Sequence, residues 1–258
     1  MISRKRMFYD IEVSYFIGSF WRLGWKERIM PHQIISYPKI ICISWKWEGE
    51  EEVHNLDWGI DKQCDKKLVK KFIKALDSSD EIVAHNGDRF DIKWIRTRAI
   101  DMGIEMNHTY KSIDTLKLAK SSFNFHSNRL DELAKFLKVG QKIPTDYTLW
   151  DKVIQHKDKD ALDEMNKYCN MDVTVLEKVY EKLRPYTKHK THYAALTTDE
   201  HWACPECGSA NVQLRKIWTT AAGVKRFGMQ HRVPECGTNY TISGKKYSDY
   251  IVWKMKNK

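Results

Sequence analysis

Apart from Asp10 and Glu12, every residue from Met7 to Val13 is apolar or aromatic, a length and composition that predict a buried β-strand. The connection that follows, "SYFIGSFWRLGWKERIMPHQIISYPK", holds too many Trp and Tyr residues for an ordinary solvated loop. "KIICISWKW" and "EEVHNLDW" then read as two strands joined by a turn around Gly49. In "DKQCDKKLVKKFIKALDSSD", Leu68, Phe72, Ile73 and Leu76 recur at helical spacing, and turn residues close that helix before "EIVAHNG", a second buried strand. A helix from about Asp88 to Met102, closed by Gly103, leads to a strand or turn around "YKSIDTLKLAK". Two more helices follow: "NRLDELAKFLKV", starting at Ser127 or Asn128, and the long "KDKDALDEMNKYCNMDVTVLEKVYEKL". Strands first, then strands mixed with helices, predict an α/β layered fold with a mixed sheet.

Near Pro185 this pattern stops. "RPYTKHKTHYAALTTDE" reads as a linker, and the rest is Cys-, Gly- and Thr-rich with short strands. The expected division is a larger domain over 1–185, a linker over 186–200 and a small β-rich module with a basic tail over 201–258. The 258 residues, 42% of them hydrophobic, suffice for one good core and such an appendage. The chain shows no N-terminal apolar signal region, and no run approaches the ~18 apolar residues of a membrane span. A soluble, cytoplasmic protein is expected.

Charge changes the picture. Lys and Arg outnumber Asp and Glu by 44 to 34, the balance of a protein that meets a polyanion. From Tyr186 onward the count is 12 against 5, so most of the surplus belongs to the last quarter. The six cysteines, 42, 64, 169, 204, 207 and 236, lack the spacing of a disulfide framework, and the last three form a group of their own.

The first strand also carries a contradiction. Residues i and i+2 of a strand share a face, so Asp10 and Glu12 project together out of an apolar run. Such a pair must meet a cation or bear desolvation and mutual repulsion. Taken alone it also fits a solvent-facing strand edge. Two more acids sit beside structured elements: Asp91 in the first turn of the helix after "IVAHNG", and Asp172, which in "YCNMDVTVL" lies four residues after Tyr168 on one helical face. Four carboxylates from separate places are the material of a hard-cation site, and Mg²⁺ takes such oxygens while leaving positions for phosphate and water.

"FYDIE", "HNGDRFD" and "YCNMD" resemble, in order and spacing, the three exonuclease motifs of the DEDD 3′–5′ exonucleases, which have a ribonuclease H-like fold. The resemblance spans about residues 5–185, and "SIDTLKLAK" and "NRLDELAKFLKV" are similar to segments of family B DNA polymerase proofreading domains and their stand-alone relatives, many of them phage-encoded. It implies a mixed sheet flanked by helices, a two-metal phosphodiesterase reaction releasing nucleoside 5′-monophosphates, and two Mg²⁺ or Mn²⁺ held by Asp10, Glu12, Asp91 and Asp172. Tyr168 would mark the Tyr subtype, since the position five before the last Asp is Lys167 and not His. A phenol with an ordinary pKa near ~10 is a poor base, so its implied role is to orient water. His85 and Asn86 stand where the family positions the terminal nucleotide, although His85 also fits a satisfied buried histidine; Asp114 in "SIDT" fits a cap. The implied partner is nucleic acid, DNA before RNA, with a replication or repair complex as a further expectation.

Residues 14–39 interleave Tyr15, Phe16, Phe20, Trp21 and Trp25 with Arg22, Lys26 and Arg28. That mixture suits stacking of single-stranded bases, and it equally suits aromatics covering a sheet edge. In the C-terminal module "CPECG" is a C-x-x-C knuckle, the usual first half of a zinc ribbon, but "HRVPECG" puts Val233 where the second knuckle needs a thiol. Cys204, Cys207 and Cys236 then need a fourth ligand, either His231 or His201, or the ribbon has lost its Zn²⁺. Two rival functions remain at this point: a structure-specific endonuclease of the same fold, and a non-catalytic nucleic-acid-binding module.

Overall fold

The strand expected at Met7 extends over Arg6–Val13 (β1), and it forms the middle of a five-stranded sheet. The computed structural model describes residues 5–22, 24, 28–107, 109–140, 145–187, 192–197, 200–233 and 236–257. β1 is followed by a small antiparallel pair, Ile17–Gly18 (β2) with Ile34–Ser36 (β3), and then by Ile40–Trp47 (β4) and His54–Asp57 (β5). Lys66–Asp77 (α1), Glu81–Ala84 (β6), Asp91–Asp101 (α2), Lys111–Asp114 (β7) and Thr115–Ser122 (α3) come next. Leu130–Phe136 (α4), Tyr147–Ile154 (α5) and the 25-residue Lys159–Leu183 (α6) complete this part.

The strand order is β5-β4-β1-β6-β7. β4 runs antiparallel to both neighbours, whereas β1, β6 and β7 are parallel, so the sheet is mixed as the pattern predicts. α1 turns Leu68, Val69, Phe72, Ile73 and Leu76 inward, each worth about 1.5–3 kcal/mol when fully buried. Arg6 at the start of β1 is buried and donates from Nε and Nη2 to Glu81 at 2.9 and 2.7 Å, fixing β1 against β6. The register between β1 and β4 shifts after Glu12, and the aromatic connection leaves the sheet at that irregularity.

Helix boundaries differ from the sequence reading in informative ways. α2 starts at Asp91 and not Asp88, because Asn86 takes a left-handed φ of 67° and the chain needs a turn before it can coil. α4 starts at Leu130, with Arg129 in place of Ser127 or Asn128 at the cap position. α5, which the apolar pattern did not suggest, is capped by Asp146 accepting from the Thr148 N–H at 2.8 Å.

The chain divides into two compact units, one over Lys5–Glu181 and one from Lys182 onward. In the second, Tyr193–Thr197 (α7) lies where a linker was expected. Its Tyr193 N–H donates to the Pro205 carbonyl at 2.7 Å. Val212–Thr219 (β8), Lys225–His231 (β9) and Asn239–Ser243 (β10) form an antiparallel sheet with β9 central. The basic tail is corrected: Gly244–Lys256 is a 13-residue helix (α8) capped by Ser243. Its Tyr247 stacks on Phe227 at 4.1 Å, and Tyr250 and Trp253 pack on Trp202 at 5.1 and 4.8 Å. The Lys residues hid an aromatic stripe. No helix among the described residues is long and apolar enough to cross a membrane.

Candidate active site

Strand alternation places Asp10 and Glu12 on one face of β1, opposite Ser44 and Cys42 of β4 in the ladder. α6 crosses that face and brings in Asp172, which is buried. Oxygens of Asp10, Glu12 and Asp172 all lie within 4.8 Å of one another. Three carboxylates so close repel strongly, and a hard cation with oxygen preference is the ligand that turns the repulsion into binding. The donor set therefore fits Mg²⁺ or Mn²⁺. Cys169, one turn before Val173 on α6, sits under the cluster with its Sγ 3.5 Å from the Asp10 carbonyl and 3.7 Å from Oδ2. Burial pushes its thiol well above the ordinary range, so it stays a neutral donor to Asp10. Sequence reasoning passed over Cys169 because an apolar helical position needs no chemistry to explain a cysteine.

Asp91 lies outside that group of three. It is the first residue of α2, it is buried, and its charge adds to burial in pushing the Tyr9 phenol well above its ordinary range. Tyr168 stands one turn before Asp172, edge-on to Trp150 with ring centroids 6.4 Å apart. It borders a cleft of ≈ 990 Å³ that also includes His85 and Asn86.

The cleft's wall explains both of these residues. Asn86 adopts its left-handed conformation while its N–H donates to Asp114 Oδ1 at 3.0 Å. The same carboxylate caps α3 through the Leu116 and Lys117 N–H groups. Asp114 is thus a cap. Gly87 follows because a Cβ there would lie 2.4 Å from Ala84 Cβ and 3.3 Å from the Tyr9 hydroxyl. His85 places one ring nitrogen 2.9 Å from Thr115 Oγ1 and the other 3.0 Å from the Asn128 carbonyl, so its ring pins two cleft segments together. The carbonyl can only accept, which makes Nε2 the protonated nitrogen.

The cleft is rimmed by the exposed cations Lys120, Arg129 and Lys135, which no motif announced. Beside it Phe125 stacks on Phe123 at 5.0 Å and meets Phe136 edge-on at 5.2 Å. The aromatic connection is packed at one end and exposed further along. Tyr15 stacks on Tyr147 and donates to Asp151 at 2.8 Å, whereas Phe16, Phe20 and Trp21 are exposed. Trp25 and Lys26 lie outside the described residues.

In the second unit Cys204, Cys207, His231 and Cys236 bring their ligand atoms within 4.8 Å of one another. Cys204 and Cys236 sulfurs stand 3.7 Å apart and His231 Nδ1 lies 3.9 Å from Cys207 Sγ, distances of a shared site and not of a disulfide. Hydrogen bonds from Cys204 and Cys207 hold the Cys236 thiol below its ordinary range. His231 ends β9 and is buried, while His201 is not part of this group. Three thiols and an imidazole fit Zn²⁺ by donor type.

A family model of the RNase_H superfamily matches residues 38–184. Among solved structures, the family B DNA polymerase from the hyperthermophilic archaeon Pyrobaculum calidifontis is similar, with a TM-score of 0.53 and 17% identity. The match covers 70% of this chain and 25% of that one, and it carries the fold alone. A comparison with curated protein sequences gave no match.

Proposed function

The chain belongs to the RNase_H superfamily, and from that premise we propose that it is a 3′–5′ exonuclease acting on single-stranded or frayed ends of nucleic acid, DNA before RNA. The observation that carries the proposal is the convergence of Asp10, Glu12 and Asp172, with Tyr168 one helical turn before Asp172 and a cation-rimmed cleft beside it. Asp10, Glu12 and Asp172 would hold one divalent ion, Mg²⁺ or Mn²⁺, and Asp91 would complete the set for a second. Such ions, when bound, lower the pKa of a coordinated water and offset charge on the leaving oxygen.

The chain's own groups supply position. Cys169 holds Asp10 by its thiol, which keeps that carboxylate facing the cluster. The Tyr168 hydroxyl would orient a water against the terminal phosphodiester. Lys120, Arg129 and Lys135 would offer cations to the substrate's phosphates, and the exposed Phe136 beside them would offer a face for a base. Asn86 would contact the terminal sugar, and His85 keeps the wall it lies in. Cys204, Cys207, Cys236 and His231 would hold a structural Zn²⁺ in the second unit, tying the turn after α7 to the end of β9.

The test is digestion of 3′-labelled single-stranded DNA with Mg²⁺. Release of labelled mononucleotide is expected, with loss in Asp10→Ala and Asp172→Ala; undiminished release in either variant overturns the assignment. A substrate with a blocked 3′ end separates the direction of attack, since an exonuclease stalls on it and an endonuclease cuts it.

A further inference from the structure

The outer face of the C-terminal sheet has a composition that the alternation of its strands does not predict. Leu214 pairs with Met229, but Lys216 pairs with Gly228, so Arg215 is an extra residue in β8. The bulge reverses parity. Gln213, Lys216 and Trp218 therefore share a face with Gln230, Gly228 and Arg226 of β9, and Asn239, Thr241 and Ser243 of β10 continue it. The opposite face carries Phe227, Met229 and Ile242, which α8 covers. Every side chain on the outer face is polar or basic except one indole.

That indole is placed, and it is half-exposed. A Cβ on residue 228 would come within 3.1 Å of Lys216 Cγ and 3.2 Å of Trp218 Cζ3, so Gly228 leaves the room in which the ring and the lysine stem lie. Lys216 Nζ stands 5.0 Å from the ring centre in a cation–π contact, and Arg226 is the cross-strand partner of Trp218. Arg215, displaced by the bulge, adds an exposed guanidinium at the edge. An isolated aromatic ringed by cations and flanked by amide and hydroxyl groups is unsuited to an apolar partner, which would strand the charges. It suits a ligand with flat π-faces, regular negative charge and many hydrogen-bonding groups.

We infer that the outer face of the β8–β9–β10 sheet is a binding platform for single-stranded nucleic acid, with a base stacked on Trp218 and phosphates held by Lys216, Arg226 and Arg215. Stacking on an aromatic is worth about 1–3 kcal/mol per base and tolerates any sequence. A duplex hides the base faces, so the platform discriminates strand state. The site lies wholly within the second unit and does not depend on the exonuclease reading, because it binds without cutting.

The experiment measures anisotropy of labelled dT20, rU20 and a duplex of the same length on the full chain, in the Asp10→Ala background so that nothing is digested. Trp218→Ala should weaken single-strand binding about 5- to 150-fold, the range equivalent to one lost stacked base, and Trp218→Phe should restore most of it. The double variant Lys216→Glu/Arg226→Glu should weaken binding and lower the salt slope by about 2. Thermal melting of each variant reports folding separately. Unchanged dT20 and rU20 affinity in folded Trp218→Ala overturns the platform, as does a duplex affinity equal to that for single strands. Either result leaves the nuclease test standing, since that test reads product release from the other unit.

Discussion

Arg6 and Glu81 form a buried ion pair in which two guanidinium nitrogens share a single carboxylate oxygen, at 2.9 and 2.7 Å. Only 1% and 5% of the two side chains are exposed, so neither charge can turn to water if its partner is lost. Glu81→Ala should cost about 3–5 kcal/mol in urea denaturation. Glu48, a second carboxylate bonded to Arg6, is 29% exposed, and Glu48→Ala should cost at most about 1 kcal/mol. Adding Arg6→Met to Glu81→Ala should recover much of the loss; failure to recover it would mean that the pair sets the strand register as well as neutralising charge.

The three-carboxylate group should work against the fold when no cation is bound. Asp172→Asn is expected to cut nuclease activity by about a thousandfold while raising thermal stability in metal-free buffer, because one of three repelling charges is gone. Added Mg²⁺ should raise the melting temperature of the native chain more than that of the variant. A variant that is destabilised without metal would refute the repulsion argument.

Tyr168→Phe removes a hydroxyl and leaves the ring against Trp150. About a ten- to hundredfold fall in kcat is expected, with KM and melting temperature nearly unchanged, as for loss of a group that orients a reactant. A KM effect of the same size would instead make the hydroxyl a substrate contact.

Cys207→Ser and His231→Ala should each abolish zinc in metal analysis of the purified protein, where the native chain is expected to carry one ion. His201→Ala should retain it. A zinc-free native protein would defeat the site as a zinc centre.

Tyr9 gives a pH dependence. Its phenol is pushed well above the ordinary value by burial first and by Asp91 second, and its hydroxyl has no hydrogen-bond partner among the described residues. The folded chain therefore keeps a proton that the unfolded chain releases near pH ~10, so stability should fall as pH rises through that value. Tyr9→Phe should flatten the fall and change stability at pH 7 by no more than about 1 kcal/mol. A steep fall that persists in the variant would assign the effect to other groups.

The sequence exposed features whose period survives folding. Asp10 and Glu12 share a face because a strand alternates, and Tyr168 and Asp172 because a helix turns in 3.6 residues. Where local geometry interrupts the period, the reading failed. The bulge at Arg215 moved Lys216 and Trp218 to a face that simple alternation denies them. In α8 the lysines masked the stripe of Tyr247, Tyr250 and Trp253, because composition there argues for a solvated tail and packing for a helix. The cations around the cleft stayed hidden for another reason: Lys120 and Arg129 become neighbours only when α3 and the segment before α4 meet, and no spacing records that. Asp91 belongs to a motif that is plain in the sequence, yet the three-carboxylate group forms without it.

Glu12 and Asp172 are separated by 160 residues and come from the first strand and a late helix. A chain emerging from the ribosome holds Asp10 and Glu12 before Asp172, and the three-carboxylate group forms only when α6 has been made and docked across β1. Partial chains and locally unfolded ones thus carry harmless fragments of the cluster. An enzyme that digests nucleic acid would be armed only by the docking of a late helix on its first strand.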